Sequence, residues 1–227
     1  MCYYITQQRS DFMNILRIYN ETIYDKYKSL DNIEDLSSPL LVSSKRYIEN
    51  VKQNPIMYIG QETNGWVNED NNAIHSIDEI EKHYDDFLLN YNTSKSIYWQ
   101  FIKDVLSTDY KSISKNTVWI NTLLCGNRFS KGHPEINKEL KKISLQNLLF
   151  LYEYFKPSYI INVSGSNNPY YDITNEFLHE IGIKMDYPTS SNPVIINDNY
   201  IWTYHPNYLR KSSKEEIVKD KIKSLIK

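Results

Sequence analysis

The sequence predicts an α/β fold: a three-layer α/β/α sandwich around a central, mostly parallel sheet of four strands. Three short apolar runs are the first observation: NPIMYIG at 54–60, TVWIN at 117–121 and YIINVSG at 159–165. They have strand length, and two leave through small residues, as buried strands of a parallel sheet do. The second observation is that stretches with apolar residues at helical spacing separate these runs. The third is that no internal repeat or linker divides the 227 residues. That length suits one domain, so residues 1–227 read as a single unit with an N-terminal helical extension over about residues 1–50.

Residues 11–29, DFMNILRIYNETIYDKYKS, carry apolar and aromatic groups at helical spacing and predict a helix packed on the domain. The next stretch, SLDNIEDLSSPLL, is polar and broken by Pro39, and reads as a connection. After the strand at 54–60 and a polar loop, SIDEIEKHYDDFLLNY at 76–91 opens with Ser76 three residues before Glu79, a capping box. A second helix is expected over 96–109. The strand at 117–121 leads into a loop with Gly126 and Gly132, then a helix from Pro134 to Phe155 with Pro157 beyond its end. The strand at 159–165 precedes a short helix, TNEFLHEIG at 174–182, closed by Gly182. NPVIIN and YIWTYHP supply two strands or one hairpin, with Asp198-Asn199 as the tight turn. SSKEEIVKDKIKSLIK forms the last helix, capped by Ser212 or Ser213.

Composition narrows the function classes. Hydrophobic residues make up 41% of the chain, enough for a real core. The 20 tyrosines beside 6 glycines indicate many half-buried amphipathic side chains. No leader pattern and no long apolar span is present, so a soluble, cytoplasmic protein is expected. Cys2 and Cys125 are too few for a disulfide scaffold or an iron–sulfur site, and Cys125 reads as a small buried residue. The net charge of −2 argues against coating nucleic acid by bulk charge but leaves room for a local basic groove. The last 18 residues carry seven Lys or Arg against three Asp or Glu, as a solvated terminal helix does. The histidines, His75, His83, His133, His179 and His205, form no short ligand cluster, so no metal is expected.

Four segments at strand ends have chemical potential. GQETNGW at 60–66 brings Gln61 and Glu62 out of a buried strand, as a functional carboxylate or as a surface turn. GxGxxG and a phosphate-loop lysine are absent, which lowers the nucleotide-binding alternatives. Asn121 ends its strand with an amide that offers donor and acceptor, to a pyrimidine edge or as a structural anchor. SGSNNPYYD at 164–172 has small residues that allow close backbone approach by a ligand. In TYHPNYLRK at 203–211, His205 can donate to developing negative charge or serve structure, and Leu209 and Arg210 project from the same loop.

Taken in order, PIMYIGQETNG, VWINTLL, YIINVSG and HPNYL resemble the uracil-DNA glycosylase superfamily over roughly residues 54–211. The hallmarks of that family are a water-activating GQDP-type motif, a strand ending in a base-reading Asn, a third core strand and an HPS-type loop. The resemblance implies a uracil-DNA glycosylase-like fold and catalysis by Glu62 and His205, Glu62 directing water and His205 stabilising the departing base through its O2. It implies base contacts from Gln61 and Asn121. It also implies DNA contacts from Ser164, Gly165 and Ser166 and from Asn207, Tyr208, Leu209 and Arg210, with Leu209 as the wedge that fills the vacated stack. Lys103, Lys211 or Lys214 are further candidates for phosphate attraction.

The chain departs from the pattern at Thr63, where proline is usual, and at Asn207, where serine is. Asn64 and Gly65 stand where many uracil-specific relatives carry an aromatic that blocks a C5 substituent, unless Trp66 or a tyrosine rebuilds that wall. The expectation is a monofunctional DNA glycosylase, needing no cofactor, that hydrolyses the glycosidic bond of a flipped uracil or 5-modified pyrimidine such as a modified cytosine. DNA is the expected partner and no obligatory protein partner is evident, so a monomer is expected. An activity on altered bases would suit defence against foreign DNA. The alternatives are a nucleic-acid or protein-binding module on the same fold without catalysis, and a small-molecule hydrolase or transferase. The last would put His205 far from Glu62; a glycosylase needs both on one cleft near Asn121.

Overall fold

In a computed structural model of the chain, residues 2–45, 54–63, 75–90 and 96–226 are described. Five strands form one sheet in the order β2-β1-β3-β5-β4: β1 Ile56–Gly60, β2 Thr117–Asn121, β3 Tyr159–Asn162, β4 Val194–Asn197 and β5 Tyr200–Thr203. The pairs β1 with β2, β1 with β3, and β3 with β5 are parallel, and β4 lies antiparallel on the outer edge of β5. The sheet is therefore mixed and has five strands, not the four expected. The turn at Asp198-Asn199 makes a hairpin that supplies both β4 and β5, with Asp198 at positive φ. Only β5 continues the parallel order.

The described residues hold eight α-helices: α1 Cys2–Lys28, α2 Ile77–Asn90, α3 Ile97–Leu106, α4 Tyr110–Asn116, α5 Lys138–Phe155, α6 Tyr170–Glu180, α7 Pro206–Lys211 and α8 Glu215–Leu225. The chain steps from β1 outward to β2, then back across β1 to β3. With right-handed crossovers these two connections fall on opposite faces of the sheet. Among the helices, α1 and α6 both meet α5, α3 meets α4, α7 and α8, and α2 touches both α1 and α4.

Local chemistry sets several boundaries differently from the sequence expectation. The helix expected over 96–109 is two, because Ser107 adopts a left-handed conformation at φ 49° that ends α3, and Asp109 caps α4 by accepting from Ser112 N. Helix α5 starts at Lys138, not at Pro134, because Asn137 Oδ1 accepts from Leu140 N. Neither Ser212 nor Ser213 caps the last helix: Ser212 ends α7, and Lys214 precedes α8 with no side-chain cap. The capping box on α2 forms as expected, Glu79 accepting from Ser76 N at 2.7 Å and Ser76 Oγ accepting from Glu79 N at 3.3 Å.

Met57, Tyr58, Val118, Ile160, Ile161 and Ile201 fill the space between the layers. A second cluster joins Ile23 and Tyr27 of α1 to Leu36, Leu124, Cys125 and Leu140, so the N-terminal helix is part of the domain wall and Cys125 is buried in apolar surroundings. The strip after α1 is stitched to the segment after β2 by Ser37 N to Gly126 O and Leu40 N to Leu124 O. No described helix is long and apolar enough to cross a membrane.

Candidate functional site

The carboxyl ends of β2, β1, β3 and β5 lie side by side, and the direction of the chain's crossovers changes between β1 and β3. In open α/β sheets such a switch point opens a crevice. Here Gln61 spans it: its Nε2 donates to Ser164 O at 2.8 Å, while its carbonyl accepts from Leu123 N at 2.9 Å. The three strand-end loops are thus tied into one floor. Above it lies a cavity of about 510 Å³ bordered by Gln61, Glu62, Asn121 and His205, with Lys131 and Gly132 on one rim.

Register explains the position of Asn121, which pairs with Gly60 across β1 and β2. A Cβ on residue 60 would sit 2.4 Å from Asn121 Oδ1 and 3.0 Å from the Tyr98 hydroxyl, so glycine is required for the amide to lie over the strand end. Asn121 is only 4% exposed and its Nδ2 has no hydrogen-bond partner among the described residues. A buried amide donor left open costs free energy unless a ligand completes it.

Glu62 is half-buried and its Oε2 accepts from the hydroxyl of Tyr170, at the start of α6. Burial raises the Glu62 carboxyl above the usual carboxylate range; the Tyr170 bond and the nearby His133 pull it back in part. The His133 ring meets that of Tyr170 edge-on at 6.2 Å. Thr63 is buried and bonded through its hydroxyl to Ser37 Oγ at 3.2 Å. Its carbonyl would lie 1.8 Å from a Cβ on residue 126, which keeps that position glycine.

His205 opens α7, with its Nδ1 accepting from Asn207 N at 3.2 Å. That bond leaves Nε2 as the protonated nitrogen of the neutral ring. Burial lowers the His205 pKa to about 4, so the imidazole is neutral and a donor across the physiological range. Its ring packs 5.9 Å from that of Tyr98.

Another part of the cavity lining is aromatic: Phe87 from α2, Tyr98 and Trp99 from α3, and Trp119 from β2. Trp99 meets Trp119 edge-on at 5.3 Å, and Phe87 stacks on Trp119 at 5.1 Å. The sequence reading found none of these rings as site residues, nor Tyr170, although Tyr170 lies in a segment chosen for its small residues. The only signal was the density of aromatics in SIYWQF and NNPYYD.

Several expected DNA contacts are corrected. Leu209 is 0% exposed, because α7 turns it into the core, a position that does not fit a wedge. Ser164 is fully buried, with its N–H donating to Asn162 Oδ1, and Gly165 is buried with its carbonyl accepting from Trp202 Nε1. Ser166 is half-buried and donates to Pro188 O. Arg210 is exposed but held by Glu215 through bonds of 2.6 and 2.9 Å, a structural clamp between α7 and α8. Asn207 and Tyr208 are exposed, two and three residues after His205. Asn64, Gly65 and Trp66 lie outside the described residues. No cluster of three or more metal-ligating side chains occurs among the described residues. No model of a known protein family matches the chain, and no curated protein sequence matches it.

Proposed function

We propose that the chain is a monofunctional DNA glycosylase on a uracil-DNA glycosylase-like fold, hydrolysing the glycosidic bond of a pyrimidine flipped into the cavity. One observation carries the reading: Glu62, Asn121 and His205, from the ends of three strands, border one cavity. A hydrolase that merely shared the architecture had no need to bring them together.

The chemistry divides among them by charge. Breaking the C1′–N bond leaves positive charge on the sugar and sends an electron pair out with the base. Water oxygen bonds to C1′ and its proton passes to Glu62, whose carboxylate also opposes the sugar charge. The neutral His205 donates through Nε2 to the developing oxyanion on the base. Asn121 Nδ2 supplies the donor for the pyrimidine edge, and the aromatic wall supplies faces for the ring. Lys131 borders the cavity but is exposed. It lacks the apolar surroundings that make an amine nucleophilic, which fits hydrolysis without strand nicking.

A single-turnover assay on oligonucleotides bearing uracil, thymine, 5-hydroxymethylcytosine or its glucosylated form, read after alkaline treatment, tests the proposal. Alkali-labile sites at one of these pyrimidines are expected, without a borohydride-trapped adduct. Failure to release any of the four refutes it, and a trapped adduct refutes the monofunctional mechanism.

A further inference from the structure

We infer that the rim of the cavity is a binding surface for unpaired, single-stranded DNA, with Phe129 and Tyr208 as stacking platforms for the nucleotides that flank the flipped one. The inference rests on the glycosylase reading for the identity of its occupant.

Large apolar side chains are mostly buried, yet three aromatic rings stand exposed among the described residues, Phe129 at 74%, Tyr187 at 49% and Tyr208 at 43%, and two of them, Phe129 and Tyr208, lie within three residues of the cavity lining. Phe129 is at the tip of the loop whose Lys131 and Gly132 border the cavity, two residues and at most about 7 Å of backbone away. Tyr208 is three residues beyond His205, on the first turn of α7. The strands that lead into the two segments, β2 and β5, are three strand spacings apart, on the order of 14 Å, which suits a few nucleotides laid across the mouth.

Both rings are held in place before any ligand arrives. Asn127 Oδ1 accepts from Phe129 N at 2.8 Å and Ser130 N at 3.0 Å, Arg128 N donates to Asp35 O, and the Arg128 guanidinium lies 5.1 Å from the Phe129 ring. Tyr208 leans on Tyr204 at 4.6 Å, and Tyr204 is anchored to Pro188 O. Each ring therefore has a supported side and an open one, and little ordering remains to be done on binding. Exposed Lys131 and Lys211, close in sequence to the two rings, bring positive charge for the backbone.

The choice of single strands follows from base geometry. Paired bases in a duplex offer their faces only to an inserted wedge, and Leu209 on α7 is buried. Two separated platforms find faces to stack on only where the neighbours of the target are unpaired.

Fluorescence anisotropy with labelled oligothymidine and the matching duplex tests this, in a Glu62→Gln background so that base release is slow. Tighter binding of the single strand is expected. Phe129→Ala and Tyr208→Ala should each weaken it by roughly 5- to 150-fold, the range for loss of one stacked base. Phe129→Tyr and Tyr208→Phe should retain it, and Ile217→Ala, an exposed apolar residue on α8, should change nothing. Equal or tighter binding of duplex, no binding of either, or alanine variants that bind like the parent would overturn the inference. The glycosylase reading is judged separately, by base release from the wild-type chain, and survives or falls on that result alone.

Discussion

The two walls of the cavity are built by different means. The polar wall comes from strand ends: Gly60 and Asn121 are register partners, Glu62 leaves β1, and His205 follows β5. The aromatic wall comes mainly from helices, with Phe87 on α2 and Tyr98 and Trp99 on α3. Hydrogen-bonded register fixes the first to within a residue, whereas the second depends on how helices rotate against the sheet. The polar wall should therefore carry chemistry that tolerates no displacement, and the aromatic wall should carry fit.

His205→Ala gives the largest expected break on the polar side after loss of the carboxylate. Removing one donor to a developing oxyanion should lower single-turnover cleavage by about 10²–10³-fold with little change in DNA affinity. The same group has a stability signature. Its pKa in the folded chain is about 4 against 6.5 for a free imidazole. Between those values the unfolded chain binds the proton first, so folding stability falls as pH drops from 6.5 towards 4. Thermal melts across that window should show a shallower acid loss in the alanine variant.

Gly60→Ala tests the join between the walls, since the new methyl group meets both Asn121 Oδ1 and the Tyr98 hydroxyl. Overpacking there should cost about 1–3 kcal/mol in denaturant unfolding and also blunt discrimination among bases. A variant as stable and selective as the parent would mean that the amide does not lie over the strand end.

Smaller still is the effect of Tyr170→Phe. The hydroxyl bond favours ionised Glu62, so its removal leaves burial less opposed and raises the carboxyl further. The acid limb of the pH–rate profile should move to higher pH, with the plateau rate nearly kept. An unmoved limb would separate Tyr170 from the tuning of Glu62. The least effect is expected from Arg210→Ala: its pairing with Glu215 is half exposed, and its loss should cost roughly 1 kcal/mol or less of stability with base choice unchanged.

What was legible in the sequence follows the same division. Strands β1, β2 and β3 announced themselves as short apolar runs, and Glu62, Asn121 and His205 could be named because each stands directly after such a run. The edge strand β4 was harder to count, because only Val194 of its four residues is buried. Leu209 was misassigned: a position in a motif says nothing of the direction a side chain takes, and the helix begun at Pro206 turns it inward. Arg210 was read as projecting because its partner, Glu215, lies across the break between two helices. Phe87, Tyr98 and Trp99 were hidden among the 20 tyrosines and other aromatics of a chain where ring density alone selects nothing.

Glu62 is tested by release of free base, followed by mass spectrometry in single turnover on the preferred oligonucleotide, for wild type and Glu62→Gln at matched DNA saturation. Free base and an abasic strand are expected in equal amounts from wild type, with a rate lower by about 10²–10⁴-fold in the variant. Release at the same rate from both proteins would contradict the role of Glu62, and release from neither would contradict the glycosylase itself.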